Sequence, residues 1–131
     1  MNTLEWNQNY VVGIDSIDSE HRYFFRLINN VISAHNSSYP DDMIEQLLMG
    51  LWKYAESHFA AEELLMKASS YQDIHSHSND HITILNELGK GIQDYRSKEK
   101  SLDDVIGVLI DWFYGHTISS DMKLGQHLKS Q

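Results

Sequence analysis

The sequence predicts an all-α protein, an up-down-up-down four-helix bundle with an N-terminal arm and a short C-terminal tail. Three observations predict it. Apolar residues recur every three to four positions over long stretches, the period of an amphipathic helix rather than a strand. A single proline interrupts the 131 residues. The segments that break the pattern are short, so consecutive helices are expected to run antiparallel. The length suits one domain, residues 1–131, able to bury a core without disulfide staples.

The arm, residues 1–15, carries Trp6, Tyr10 and Ile14. Helix A is predicted from about Ser16 to His35, with Phe24, Phe25, Ile28, Val31 and Ile32 on its apolar side. Residues 36–40 form a turn that ends in Pro40. Asp41 and Asp42 follow, and proline with acids suits the positively polarised start of a helix. Helix B runs to about Ala68 on a stripe of Ile44, Leu47, Leu48, Leu51, Ala55 and Leu65. Ser69-Ser70-Tyr71 ends it. Helix C is predicted from about Gln72 to Ser97, with Ile74, Ile84, Leu88, Ile92 and Tyr95 facing inward. After the charged turn Lys98-Glu99-Lys100, Ser101 and Asp104 resemble a capping box. Helix D carries Leu102, Val105, Leu109 and Trp112 to about Ile118. Gly50, Gly89, Gly91, Gly107 and Gly115 all fall inside helices, where each costs about 1 kcal/mol relative to alanine. Close helix contacts explain such glycines, as does a kink at Gly89–Gly91.

Composition removes several function classes. Without cysteine there are no thiolate zinc sites, cysteine-held iron–sulfur clusters or thiol nucleophiles, so any metal is held by nitrogen and oxygen. The net charge of −9 argues against binding nucleic acid and favours a self-repelling monomer. The longest nearly apolar stretch, Val105–Tyr114, is broken by Asp111 and too short to span a membrane. Met1–Tyr10 has neither a basic start nor an apolar run, so no signal peptide is expected and the cytoplasm is the default. No protein partner can be named.

Histidine is the unusual residue, with 8 in the chain. On helix B, His58 and Glu62 continue the stripe of Leu51, Ala55 and Leu65. His77 and His81 do the same on helix C between Ile74 and Ile84. His116 extends the stripe of helix D, and His21 begins that of helix A. One inward histidine is usually a hydrogen-bonded core residue. Several imidazoles with a carboxylate would each need a partner in an apolar interior, and a metal satisfies them together. Topology agrees: the start of A, the end of B, the start of C and the end of D share one end of such a bundle. The other histidines read as structural. His75 points about 160° from the His77 face, and His35 lies about 21 Å along the axis from His21. His127 is in the tail.

A second carboxylate must come from the end of helix D. Asp121 lies five residues after His116, about 140° off its face on an ideal helix. It can serve only if the helix is distorted or ends there. Asp111 reads as a solvated residue. Five imidazoles, Glu62 and Asp121 are too many for one tetrahedral zinc and suit two metals bridged by carboxylates, with iron or manganese favoured. If a solvent oxygen also bridges two octahedral metals, five imidazoles leave one terminal position open.

At this point the residues resemble a known family, the hemerythrins, in particular their single-domain bacterial members. The resemblance begins at Gly13-Ile14-Asp15-Ser16-Ile17-Asp18-Ser19-Glu20-His21 and includes Trp6 in the arm. It continues through His58-Phe59-Ala60-Ala61-Glu62-Glu63, Tyr71, the pair His77 and His81, and Trp112-Phe113 with His116 and Asp121. It implies reversible dioxygen binding at a non-haem di-iron site with an oxo or hydroxo bridge, for oxygen storage, delivery or sensing. His77, His81 and His116 would hold one iron and His21 and His58 the other, with Glu62 and Asp121 bridging. Oxygen would enter beside the two-histidine iron, walled by Phe59, Phe25 and Trp112. Three departures stand out. Gln72 replaces a proline. Glu20 replaces a glutamine and is expected on the exposed side. Thr117 replaces an isoleucine of the pocket and could admit water. A di-iron oxidase or peroxidase-like enzyme and an iron-storage or metal-binding module are the alternatives. Ferritin-type enzymes use Glu-x-x-His and more carboxylates, whereas histidine dominates here.

Overall fold

The computed structural model covers residues 1–131 and is all-helical. Helices α1 (Asp15–Asn36), α2 (Asp41–Ala68), α3 (Ile74–Arg96) and α4 (Leu102–His116) alternate in direction, as the short connections require. The predicted end of the last helix near Ile118 is corrected. A π-helical turn, Thr117–Asp121, leads without a break into α5 (Met122–Lys129), so the expected tail is mostly helix. Ser119, Ser120 and Gly125 weaken helix propensity here, but packing overrides propensity. Leu124 is fully buried, and Gly125 lies so close to the arm that a Cβ would sit 2.7 Å from the Val12 carbonyl oxygen.

The three interhelical stops share one geometry. Ser38, Ser70 and Lys98 adopt positive φ, and the next residue donates back to the carbonyl of Ala34, Met66 or Asp94. These are Schellman endings built without glycine. Helix α4 starts on the predicted capping box, with Ser101 and Asp104 each bonded to the other's backbone.

The arm is clipped to α1 by two asparagines. The Asn29 amide accepts from Leu4 N at 2.7 Å and donates to Leu4 O at 3.0 Å, while Asn36 accepts from the Met1 amine at 3.2 Å and donates to Met1 O at 2.8 Å. Three extended residues span about 10 Å and seven helical residues about 10.5 Å, so the two clips keep register. Where the arm turns into α1, Gly13 supplies φ 91° and the buried Asp18 carboxylate accepts both the Val12 and Gly13 amides.

The glycines divide. A Cβ on Gly89 would meet Trp52 at 3.5 Å and one on Gly91 would meet Val105 at 3.7 Å, ordinary contact distances, so these two face a neighbouring helix but close approach does not require glycine there. No neighbour lies near Gly50, Gly107 or Gly115, and α3 runs through Gly89–Gly91 as unbroken helix. Leu47, predicted inward, is 37% exposed.

The apolar interior falls into two parts. The larger occupies most of the bundle and includes Phe24, Phe59, Leu88 and Phe113. A smaller one, with Val12, Ile17, Met66, Tyr71 and Leu124, closes the far end. Each helix passes a polar layer between them: Ile17 precedes His21, Met66 follows Glu62, and Leu124 follows Asp121. That layer is where the chemistry lies.

Candidate metal centre

His21, His58, Glu62, His77, His81, His116 and Asp121 are all buried and all meet in this layer. Their donor atoms fall into two groups, each within 4.8 Å: Glu62, His77, His81, His116 and Asp121 in one, His21, His58, Glu62 and Asp121 in the other. The two carboxylates belong to both. Glu62 Oε1 lies 3.1 Å from the Nε2 atoms of His77 and His81, while its Oε2 lies 3.0 Å from His58 Nε2. Asp121 divides in the same way. Its Oδ1 is 3.1 Å from His77 Nε2 and 3.0 Å from His116 Nε2, and its Oδ2 is 3.0 Å from His21 Nε2.

The π turn is what admits Asp121. On an α-helix, i and i+4 share a face, and one extra residue in the turn moves that relation to i and i+5. The distortion required by the His116–Asp121 spacing is therefore present, and the Ser119 hydroxyl donates to the Gly115 carbonyl where it begins.

The donor set fits metal ions better than it fits itself. Glu62 Oε2, His116 Nε2 and both Asp121 oxygens are buried without a hydrogen-bond partner, although nitrogen and oxygen lie close. Their lone pairs converge on shared points instead of on one another. A metal–donor bond of about 2.1 Å at right angles gives donor–donor edges of about 3.0 Å, which is the spacing seen here. Two carboxylates among neutral imidazoles also call for positive charge. Without metal, protons meet that need. Burial alone would lower the His58 imidazole, but the adjacent carboxylates of Glu20 and Glu62 push it up to about 10. His77 is likewise pushed up to about 9, Asp121 and Glu62 outweighing burial. His21 is raised by Asp121 and Glu62 against burial. Burial would raise Glu62, yet its four histidine neighbours hold it well below the usual carboxylate range, and Asp121 is held low by His116, His21 and His77.

Two further carboxylates orient the imidazoles from outside. His58 donates through Nδ1–H to Glu20 Oε2 at 2.8 Å, and His81 through Nδ1–H to Glu63 Oε2 at 3.2 Å. Such contacts fix the tautomer and aim Nε2 at the metal. Glu20 is thus not simply an exposed residue. Its side chain is 35% exposed, and its carboxylate crosses from α1 to α2. The Tyr54 hydroxyl holds its backbone carbonyl at 3.2 Å. The one trace of these roles in the sequence is adjacency, since each glutamate sits next to a donor residue.

Beside the donors is a cavity of about 10 Å³, lined by His21, His58, His116, Asp121, Thr117, Phe24, Phe59, Trp112 and Phe113. Both histidines of the smaller group line it, whereas His77, His81 and Glu62 do not. Phe59 and Trp112 form its wall as predicted, but Phe25 does not. Phe25 packs behind Phe113, with ring centres 4.9 Å apart, and turns toward Trp6 and Tyr10 in the arm. Phe24 and Phe25 lie three and four residues after His21, so periodicity alone does not choose between them. The remaining histidines lie outside the cluster. His35 and His75 are exposed, and His127 contacts the Ser69 carbonyl at 2.9 Å and the Tyr71 ring. Asp111 is exposed as expected.

Comparison with known proteins agrees with this geometry. The chain is 27% identical to a bacteriohemerythrin of Clostridium acetobutylicum, over 88% of this chain and 94% of the relative. It is 25% identical to a bacteriohemerythrin of Stenotrophomonas maltophilia, over 99% of this chain and 84% of the relative. A myohemerythrin of Theromyzon tessulatum is 29% identical over 91% of this chain and 88% of its own length. The profile of the hemerythrin HHE cation binding domain matches residues 12–128, nearly the whole chain, which therefore belongs to the hemerythrin family, whose members bind a di-iron centre.

Proposed function

We propose that this protein binds dioxygen reversibly at a di-iron centre, for oxygen storage, delivery or sensing, and is not a catalyst. One observation carries the reading. The two shared carboxylates define a pair of metal positions, and the room beside them is enough for roughly one water-sized molecule. Space of that size excludes an organic substrate and restricts any further ligand at the metals to a very small one.

In this reading His77, His81 and His116 would hold one iron and His21 and His58 the other, with Glu62 and Asp121 available to both. When bound, the iron pair supplies the electrons that dioxygen binding needs. The chain does the rest. Glu20 and Glu63 hold the imidazoles of His58 and His81 with Nε2 aimed inward. Phe24, Phe59, Trp112 and Phe113 make a dry wall that limits water and excludes larger reactants. Thr117, 1% exposed, is the polar exception among the residues that do not donate. The whole chain, arm included, acts as one unit. A monomer is part of the proposal, supported by the net charge of −9, and the cytoplasm is its expected compartment. No helix is long and apolar enough to cross a membrane.

The test is to load the protein with iron, reduce it without air, add oxygen and follow visible absorption through several cycles of deoxygenation. Two irons per chain and a band that returns in each cycle are expected. Irreversible conversion to the ferric form on first exposure would favour a redox enzyme. Far fewer than two metals per chain would end the di-iron reading.

A further inference from the structure

We propose that the face formed by the arm and α1 is the docking surface for an acidic one-electron carrier protein, which returns oxidised iron to the ferrous state. The proposal rests on the di-iron reading above. Iron that has lost an electron no longer takes up dioxygen, so a carrier of this kind needs a route for electrons to enter.

Charge marks the face. The chain has 19 acidic residues, yet none lies between His21 and Asn36 on α1. Arg22 and Arg26 stand one turn apart there, both exposed and neither in an ion pair, whereas Arg96 is paired with Glu45. The Arg22 guanidinium lies 5.6 Å over the Trp6 ring. Between arm and helix runs an open groove of about 360 Å³, with Leu4, Trp6 and Phe25 as its apolar part and Arg22, Arg26 and Asn30 as its polar part. The arm adds one exposed acid, Glu5, beside the groove. The face thus carries two unpaired guanidiniums against one carboxylate on an otherwise acidic molecule, which suits a partner that presents carboxylates, and redox partners use small interfaces of this kind.

Packing connects the face to the metal layer. The Trp6 and Phe25 ring centres are 5.2 Å apart, Phe25 and Phe113 4.9 Å, and Phe113 and His21 5.2 Å. The last is a donor of the two-histidine set, and Arg22 follows it in the chain. An electron entering at Trp6 therefore crosses packed side chains, not solvent. Two single-electron transfers convert a diferric pair to a diferrous one, and two donor molecules each lose one electron.

The test uses iron-loaded protein and an acidic plant-type ferredoxin as probe. Reduction of the diferric protein by reduced ferredoxin is followed anaerobically by stopped flow, and binding of oxidised ferredoxin is measured by calorimetry. Arg22→Glu combined with Arg26→Glu is expected to cut the rate and weaken binding by about tenfold or more at low salt, and to abolish their decline with added salt. Arg26→Lys, which keeps the charge, is expected to stay near wild type. Dithionite should reduce all variants alike. Wild-type rate and affinity in the double variant would overturn the proposal. So would self-association, seen by sedimentation, that the double variant abolishes, because the face would then join copies of the chain. Failure to hold two irons would sink the di-iron reading, while calorimetry would still decide whether the face docks the carrier.

Discussion

The two donor sets share both carboxylates and one type of nitrogen, yet their surroundings differ. Around His77, His81 and His116 the packing is tight. Phe59 lies on His81 with ring centres 3.9 Å apart and planes 9° from parallel, and Trp112 lies on His116 at 5.9 Å. Around His21 and His58 there is one imidazole fewer, a small cavity, and a His21 Nδ1 that is buried with no partner. The three-histidine set is the more closed, with only His116 of its imidazoles reaching the cavity, and the two-histidine set is the more open, with both of its imidazoles on it. The two sets thus differ by one imidazole on one side and by aromatic cover on the other.

The largest expected effect comes from removing what the sets share. Glu62→Ala should leave less than one metal per chain by elemental analysis, because both positions lose an oxygen, whereas His58→Ala should leave about one. Equal metal content in the two variants would break the comparison. The outer carboxylates sharpen it. Glu20→Ala and Glu63→Ala should each weaken metal binding by about 10–100-fold. The loss should be larger for Glu20, which tethers one of only two imidazoles in its set, whereas Glu63 tethers one of three. Competition with a chelator measures both.

Thr117→Ile should slow autoxidation of the iron-loaded protein by a few fold, roughly 1 kcal/mol in the barrier, by removing a hydroxyl from the wall of the open set. An unchanged or faster rate would show that the hydroxyl does not matter. The metal-free protein provides a test without iron. His58 and His77 are held at about 10 and about 9, above the ordinary 6.5, so their protons stabilise the fold fully below pH 6.5 and less as pH rises to 9–10. Glu62 and Asp121 are held below their ordinary 4.5 and 3.8, so their contribution is complete above that range and lost in acid. Tm of the chelated protein should therefore fall between pH 7 and 10, and metal uptake should release protons. A Tm that rises over that interval would contradict the proton-held cluster. The smallest effect lies away from both sets. Gly107→Ala, with open space around its Cβ, should stabilise by about 1 kcal/mol in urea unfolding and leave metal content unchanged.

Six members of the cluster, His21, His58, Glu62, His77, His81 and His116, were legible because each interrupts an apolar stripe and topology places them at one level. Asp121 was legible only conditionally. Its spacing from His116 demanded a distortion that no propensity scale announces, since a π turn is stabilised by its surroundings. Glu20 was misplaced because half-exposed side chains reach between helices, and a single helix face does not report that reach. Phe25 was placed in the wall for a related reason, as two adjacent inward rings differ only in which neighbour they meet. The end of the last helix was missed because the contact that holds it, Gly125 against Val12, joins residues far apart in sequence.

The π turn also sets the phase of everything after it. One residue fewer between His116 and Asp121 would leave α5 rotated by about 100°. Leu124 would leave the end cluster and a bulkier face would meet the arm at Val12. The last carboxylate of the site and the seal of its open end are therefore adjusted by one and the same extra residue. A chain that lost it could not keep both with a simple helix, and this ties the register of the arm to the completeness of the centre.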